Sequence, residues 1–344
     1  MNILFITYSM KENIGVGSAR SRMLYNILKN RNHNIKLLSD ATYRMSYIFK
    51  NILFKKYDKI YFSGPPFSKY LIILLISIIL KKCKFIVDFR DPWSLHLKNG
   101  YGIKKRNKLK FLIACFIEKN VYKRCNYFIV CTEGMYNEYK NFFKDSDKIK
   151  VIHNGHDLSF PDMNKIALQN KQKYGQNINI ICCGKFASYN IDKAKSFIEI
   201  LGNSNHQFKL LFIGTDNITK ELFQMNSYKN ICVEFKEQES YRYCINSIKK
   251  SDVGILLLRN EEFEYGTKVF DYIAVGIPIF DLFDHNKSFY SNFKKFIFDD
   301  FNKIPDLEPD FNMIYARQNQ LLKLVNLIEA KGENINGKNT KKYS

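Results

Sequence analysis

Short apolar runs alternate with longer stretches of helical periodicity from one end of this 344-residue chain to the other. In the first half the runs fall at 2–8 (NILFITY), 35–39 (IKLLS), 59–63 (KIYFS), 84–89 (KFIVDF), 127–132 (YFIVCT) and 149–153 (IKVIH), with helical patterns near 19–31, 66–80, 103–123 and 133–143. In the second half they fall at 178–183 (INIICC), 209–213 (KLLFI), 231–235 (ICVEF), 253–258 (VGILLL) and 277–282 (IPIFDL), with helical patterns near 192–201, 218–227, 239–250, 267–275 and 311–330. Strands that are apolar on both faces need cover on both faces, which parallel sheets flanked by helices supply. The pattern predicts an α/β fold: two doubly wound, Rossmann-like parallel-sheet domains facing a central cleft, with ligands at the carboxyl ends of the strands. The length fits two domains. The expected division is 1–160 and 161–330, with the polar stretch after Gly155 (LSFPDMNKIALQNKQKYGQN) at the boundary. The last helix, 311–330, is placed to pack back on the first domain, and the tail 331–344, which lacks apolar anchors, is expected to be disordered.

A content of 46% hydrophobic and 25% charged residues is that of a globular protein and excludes disorder, collagen and coiled coil as the main architecture. The eight cysteines form no CxxC, and several sit in apolar runs as reduced buried thiols, which points to a reducing, cytoplasmic compartment. The amino-terminal MNILFITY has no basic n-region or cleavage site and reads as a first strand. The apolar run Tyr70 to Leu80 is bracketed by Lys69 and Lys81-Lys82. It is far short of the roughly 20 residues a bilayer crossing needs and predicts a buried helix.

The net charge of +21 is unevenly placed. Residues 1–165 carry 30 Lys+Arg against 12 Asp+Glu, a net of +18, and the remainder carries 24 against 21, a net of +3. A basic half suggests a polyanionic partner, although a solubilising surface produces the same count. The densest basic run, Lys104-Lys105-Arg106-Asn107-Lys108-Leu109-Lys110, leads into apolar residues at helical spacing: Leu109, Leu112, Ile113, Phe116, Ile117 and Val121. Such a helix can lie on anionic headgroups; an internal helix of a soluble domain shows the same stripe.

Five segments carry the chemistry. After the first strand, Gly15 and Gly17 precede a helix and allow an anion to approach its N-terminus, as would an ordinary turn. The six-residue dinucleotide fingerprint is absent, so a hydride-transfer cofactor is not expected. Asp88-Phe89-Arg90-Asp91-Pro92-Trp93 ends a strand where this architecture binds ligands, with a structural Arg–Asp clamp as the alternative. His153 and His156 flank the Asn-Gly turn at the domain boundary without metal-ligand partners at suitable spacing. Lys185, after Gly184, and Lys193 are placed to hold a diphosphate as point charges. In EEFEYGTKVFDYIAVGIPI, Gly266 and Thr267 open a short helix carrying Lys268 and Asp271. The helix start suits a phosphate or sugar hydroxyl, and Asp271 suits a ribose diol.

In order and spacing these segments resemble the retaining glycosyltransferases of the GT-B fold, specifically glycosyltransferase family 4, over about residues 1–330. FIVDFRDPW resembles the "DxRDxW" segment of its bacterial surface-polysaccharide members. CTEGMYNEY and KVIHNGHD are similar to "SEGM" and "VIPNGVD", and GTKVFDYIAVGIPI to "PxKxFEYLAxGKPV". The resemblance implies a nucleotide-sugar donor bound by Gly15, Gly17, Lys185, Lys193, Glu264, Gly266, Thr267, Lys268 and Asp271. Asp271 stands where the second Glu of the family's paired-glutamate motif binds ribose. The first Glu of that pair falls at Phe263, with Glu262 or Glu264 as replacements by a local shift. The family's catalytic His falls at Arg90, which leaves Asp91 and Arg90 as the catalytic candidates. The resemblance further implies a glycan or polyprenyl-diphosphate-linked acceptor, no cofactor and no metal, and a cytoplasmic protein peripheral on an anionic membrane surface. Asp145-Ser146-Asp147 imitates a metal-binding DxD, yet between lysines before a strand it reads as a solvated turn. A nucleotide-sugar epimerase of the same fold would need acid–base residues in the cleft. A nucleic-acid binder would need exposed aromatics interleaved with basic residues; here the aromatics fall inside apolar runs, so no nucleic-acid partner is expected.

Overall fold

The computed structural model describes residues 1–11, 15–40, 56–64, 84–99, 108–159, 177–226 and 228–330, with short pieces at 44, 46–48, 50, 70, 71, 74 and 162. Most of the helix expected at 66–80, the basic residues 104–107, most of the boundary stretch and the tail 331–344 lie outside the described residues.

The first sheet is built from β1 (Asn2–Ile6), β2 (Asn34–Leu38), β3 (Lys59–Gly64), β4 (Lys84–Phe89), β5 (Tyr127–Val130) and β6 (Ile149–Val151), in the order β2-β1-β3-β4-β5-β6. Every pairing in it is parallel. The second contains β7 (Asn177–Cys183), β8 (Gln207–Ile213), β9 (Ile231–Lys236), β10 (Val253–Gly254), β11 (Ile279–Phe280) and β12 (Ile297–Phe298), ordered β12-β11-β10-β7-β8-β9 and again all parallel. Strands such as β3 are buried along their whole length, which is why they read as unbroken apolar runs. In the second sheet the strand order reverses between β7 and β10, so a crevice opens beyond their carboxyl ends.

The helices are α1 (Gly15–Asn30), α2 (Trp93–Asn99), α3 (Lys108–Arg124), α4 (Glu133–Phe143), α5 (Ile191–Gly202), α6 (Asn217–Met225), α7 (Tyr241–Ile248), α8 (Lys268–Val275), α9 (Ser288–Phe293) and α10 (Arg317–Glu329). Side-chain caps fix several starts: Thr132, Asn190, Asp216 and Ser240 accept from the backbone N–H three residues on. The sequence pattern missed α2, α9 and β12, which at 7, 6 and 2 residues are too short to display a period. The run 253–258 forms a strand only at Val253–Gly254, although the Ile255 N–H still donates to the Ile181 carbonyl of β7 at 2.9 Å. Ile255 and Leu257 still enter one core while Leu256 and Leu258 enter the other.

The helix expected at 311–330 begins only at Arg317. Asp310 holds the preceding segment as a loop, its carboxylate accepting from the N–H groups of Ile314 (3.1 Å) and Tyr315 (2.8 Å). Leu321, Leu324, Val325 and Ile328 of α10 share a core with Ile3, Phe5, Tyr61 and Ile86 of the first sheet. Glu329 pairs with Arg31 at 2.6 Å and His33 at 2.8 Å. The returning chain also binds the Asn154-Gly155 turn. Arg317 donates to the Gly155 carbonyl (3.0 Å) and pairs with Asp157 (3.1 Å), the His156 N–H donates to the Tyr315 carbonyl (3.0 Å), and the Arg317 N–H donates to the His156 carbonyl (2.8 Å). Gly155 has φ +69°, and a Cβ there would lie 2.5 Å from the Tyr315 carbonyl oxygen, so the turn requires glycine.

Candidate active site in the interdomain cleft

At the carboxyl end of β4 the two aspartates of DFRD separate in role. Asp88 is fully buried and receives Arg20 Nε at 3.1 Å, Arg20 Nη2 at 3.3 Å and the Tyr61 hydroxyl at 2.6 Å. Burial alone would raise its proton affinity, but Arg20, Arg90 and Tyr61 overcome that and hold the carboxyl below its ordinary range. Arg20 also donates to the His153 carbonyl at 2.7 Å, tying α1 and β4 to the domain boundary. Asp88 is therefore a structural clamp. Asp91, three residues on, faces the second domain. Burial raises its proton affinity against the opposing pull of Arg90 and Arg259.

Pro92 precedes α2, suited to a helix start by its fixed φ and missing N–H, and one turn later α2 presents His96. The His96 imidazole lies 3.7 Å from the Glu264 carboxylate across the cleft. Burial and the nearby Arg259 lower its pKa to about 4, so the ring is neutral at pH 7. Glu264 in turn accepts from Arg259 through two bonds, at 2.8 and 3.2 Å. Burial raises the proton affinity of Glu264 against that pairing. Asp91 and His96 from the first domain thus meet Arg259 and Glu264 from the second. Titratable groups whose environments push their proton affinities off the ordinary values are what acid–base work in a cleft requires.

A second set of contacts positions the loop that carries Glu264. Thr132 donates its hydroxyl to the Phe263 carbonyl (3.1 Å), and Tyr265 donates to Glu133 (2.9 Å), whose other oxygen meets His153 at 3.1 Å. Gly134 touches the same loop: a Cβ there would lie 1.7 Å from the Glu262 carbonyl oxygen. Phe263 enters the first domain's core beside Leu95, Met135 and Tyr139. The residue standing where the resemblance implies a Glu is thus a hydrophobic plug between the domains. Of its two proposed replacements, Glu264 reaches the cleft cluster, whereas Glu262 accepts from the Ser288 N–H at 3.4 Å.

Among the residues expected to hold the donor, Gly184 follows β7 with φ +109° and open space around it, and Lys185 beside it is exposed. Gly266 (φ +64°) leads into α8, where Thr267 is the N-cap without a side-chain cap bond, so its hydroxyl does not close off the first N–H groups of the helix. Lys193 is differently engaged. Its ammonium binds the Glu261 carboxylate and the Leu282 carbonyl, fastening the acidic loop. Asp271 is buried, with one oxygen accepting from Tyr241 (2.8 Å) and the other from Lys268 (3.1 Å), so a ribose diol would share an occupied carboxylate. Burial works against the charge on Lys268, and Asp271 beside it raises its pKa nonetheless. Gly15 and Gly17 lie in the first turn of α1, downstream of β1. Asp145 accepts from the Asp147 N–H at 3.0 Å in an exposed turn. Among the described residues, no group of three or more His, Cys, Asp or Glu side chains is placed to hold a metal ion.

Sequence reasoning missed His96, Arg259, Glu133 and Tyr265. The one available signal was Pro92, which marks a helix start and so places His96 a single turn beyond the strand end.

Two all-parallel Rossmann-like sheets, a cleft lined from both and a final helix crossing back define the GT-B fold. No protein-family model matches the sequence, and no curated protein sequence matches it. Solved structures do match in shape. The sucrose-phosphate synthase of Thermosynechococcus elongatus aligns over 95% of this chain and 98% of its own, with a TM-score of 0.63 at 11% identity. Anabaena Alr3699/HepE, solved in complex with UDP and glucose, aligns over 95% of this chain and 99% of its own, with a TM-score of 0.56 at 12% identity.

Proposed function

We propose that this chain is a glycosyltransferase that moves a sugar, with retention, from a UDP-sugar to a glycan or polyprenyl-diphosphate-linked acceptor. The setting is the assembly of a bacterial surface polysaccharide, in the cytoplasm at the inner face of the cell membrane. The observation that carries the reading is the cleft itself. Neutral His96 and Asp91, whose proton affinity burial raises, face Arg259 and Glu264, within a fold whose solved representatives include one holding UDP and glucose.

In this reading, loss of the nucleoside diphosphate builds negative charge that Lys185 and the N-terminus of α8 stabilise, while the open backbone at Gly184 lets the diphosphate approach. No metal is required for that step. Neutral His96 accepts a hydrogen bond from the acceptor hydroxyl, and Asp91 orients it. Lys193 acts indirectly, by holding Glu261 and with it the loop that presents Glu264.

The test is incubation with UDP-, GDP- and ADP-sugars, measuring nucleoside diphosphate release and donor-dependent thermal stabilisation. Neither effect with any donor would remove the transferase reading. The gathering of Asp91, His96 and Glu264 also favours a second reading, a nucleotide-sugar epimerase. Interconversion of the donor's sugar without release of diphosphate would establish that instead.

A further inference from the structure

Arg259 bears on every other member of the cleft cluster. It grips Glu264 through two bonds, at 2.8 and 3.2 Å. Burial raises the proton affinities of the Asp91 and Glu264 carboxyls and lowers that of the His96 imidazole, and the charge of Arg259 pulls all three down. Yet the Arg259 side chain is 52% exposed, against 19% for Glu264. An exposed ion pair is weak, and a long side chain resists being fixed in one rotamer. A second restraint comes from Tyr189, whose ring centroid lies 5.6 Å from the Arg259 guanidinium carbon, within reach of the attraction between a guanidinium and an aromatic face. Tyr189 belongs to the loop 184–190 between β7 and α5, which also carries Gly184 and Lys185. Backbone bonds hold that loop. The Phe186 N–H donates to Asp216 (2.9 Å), the Ala187 N–H to the Thr219 hydroxyl (2.9 Å) and the Tyr189 N–H to the Phe186 carbonyl (3.0 Å). The ring itself packs against the second domain's core, in which Phe186 and Ala187 are buried. The platform is therefore fixed where the guanidinium it carries is not.

We infer that Tyr189 is a positioning residue: its ring holds the Arg259 guanidinium on Glu264 and so sets the field in which Asp91 and His96 work. The charged groups around α2 are Glu264 and Arg259 from the second domain, Arg90 and Asp91 from the strand end before it, and Glu118 of α3, which accepts from the Ser94 N–H at 2.8 Å. Of these, Arg259 is the one whose charge shifts the His96 imidazole. One guanidinium thus ties the loop proposed to receive the donor diphosphate to the residues proposed to meet the acceptor. The consequence for turnover rests on the glycosyltransferase reading, but the hold of Tyr189 on Arg259 belongs to the free protein and is measured without substrate.

The experiment follows the His96 ring by NMR across pH in the substrate-free full chain. Arg259→Met, which removes the charge, should raise its titration from about 4 to about 5 or above, as the loss of one charge in a partly solvated cleft does. Tyr189→Leu, which leaves the guanidinium without its platform, should raise it part of that way, and Tyr189→Phe, which keeps the ring, should restore the wild-type value. Adding Tyr189→Leu to Arg259→Met should move it no further. With a UDP-sugar that wild type turns over, kcat should fall about threefold to tenfold in Tyr189→Leu, the worth of one cation–π contact, at unchanged donor KM and urea midpoint. An unmoved His96 titration in Tyr189→Leu would overturn the inference, and so would Tyr189→Phe behaving as Tyr189→Leu. A raised donor KM with an unmoved titration would overturn it too, placing the ring against the donor instead. Absence of turnover with every donor would remove the transferase reading alone, since the titration is read without one.

Discussion

Replacing Asp88 by Asn tests the clamp beneath the cleft. The substitution keeps the side-chain volume and removes the charge, leaving Arg20 fully buried with only the His153 carbonyl and an amide oxygen as partners. Arg20 does not relieve this by losing its proton, because the ordinary pKa of a guanidinium lies far above neutral. Breaking one side of a buried ion pair costs about 3–5 kcal/mol. In a domain the size of the first one each kcal/mol corresponds to about 2–4 °C, so the expected fall in that domain's melting temperature is about 6–20 °C. Calorimetry with urea titration would measure it, and Arg20→Gln/Asp88→Asn should cost less than the sum of its single substitutions. The contribution has a defined pH window. The folded-state pKa of Asp88 is lowered, so its stabilisation is fully present above the ordinary carboxylate pKa of about 4 and is lost as pH falls below it. A loss under about 1 kcal/mol with additive single effects would refute the clamp.

Lys185→Ala should raise donor KM and lower kcat, together by about tenfold to a hundredfold for one charge-assisted contact, with unchanged unfolding; unaltered kinetics would remove Lys185 from the site. His96→Gln, which keeps a neutral hydrogen-bonding side chain, should retain far more turnover than His96→Ala; in the wild type, proton uptake by the His96 ring, followed by NMR, should occur near pH 4. Gly134→Ala must displace the Glu262 backbone, so steady-state kinetics should show kcat falling by about tenfold or more, as small misplacements of a reacting constellation do. Glu118, whose pKa burial raises to about 7, holds its proton in the folded chain below that pH. Its contribution is present below the ordinary value and is lost as pH rises through 7, about 3 kcal/mol at most. Urea unfolding of Glu118→Gln across that range should show a flatter pH profile than wild type.

The role of Phe263 illustrates what a linear reading cannot reach. In sequence it is an apolar residue interrupting an acidic loop; in the fold it fills a pocket in the other domain's core. Lys193 and Glu261 are both visible as charges, but only the packing of α5 against that loop makes them partners. His96 likewise stands in a short helix that Pro92 alone signals in the sequence, and it gains its meaning from Glu264, far along the chain.

The alternation of apolar runs and helical periods is a local property, set by which faces of each element must leave water, and it determined the two parallel sheets and the cleft between them. The charge count likewise assigned the excess of basic residues to the first half. Tertiary structure decided which polar groups became chemistry and which became clamps. Asp88 and Asp91 are three residues apart, yet one is locked to Arg20 in the interior and the other is aimed into the cleft. The physical reason is that proton affinity and hydrogen bonding depend on burial and on neighbours brought in from distant positions. Strand alternation does not encode these, and only the closed fold supplies them.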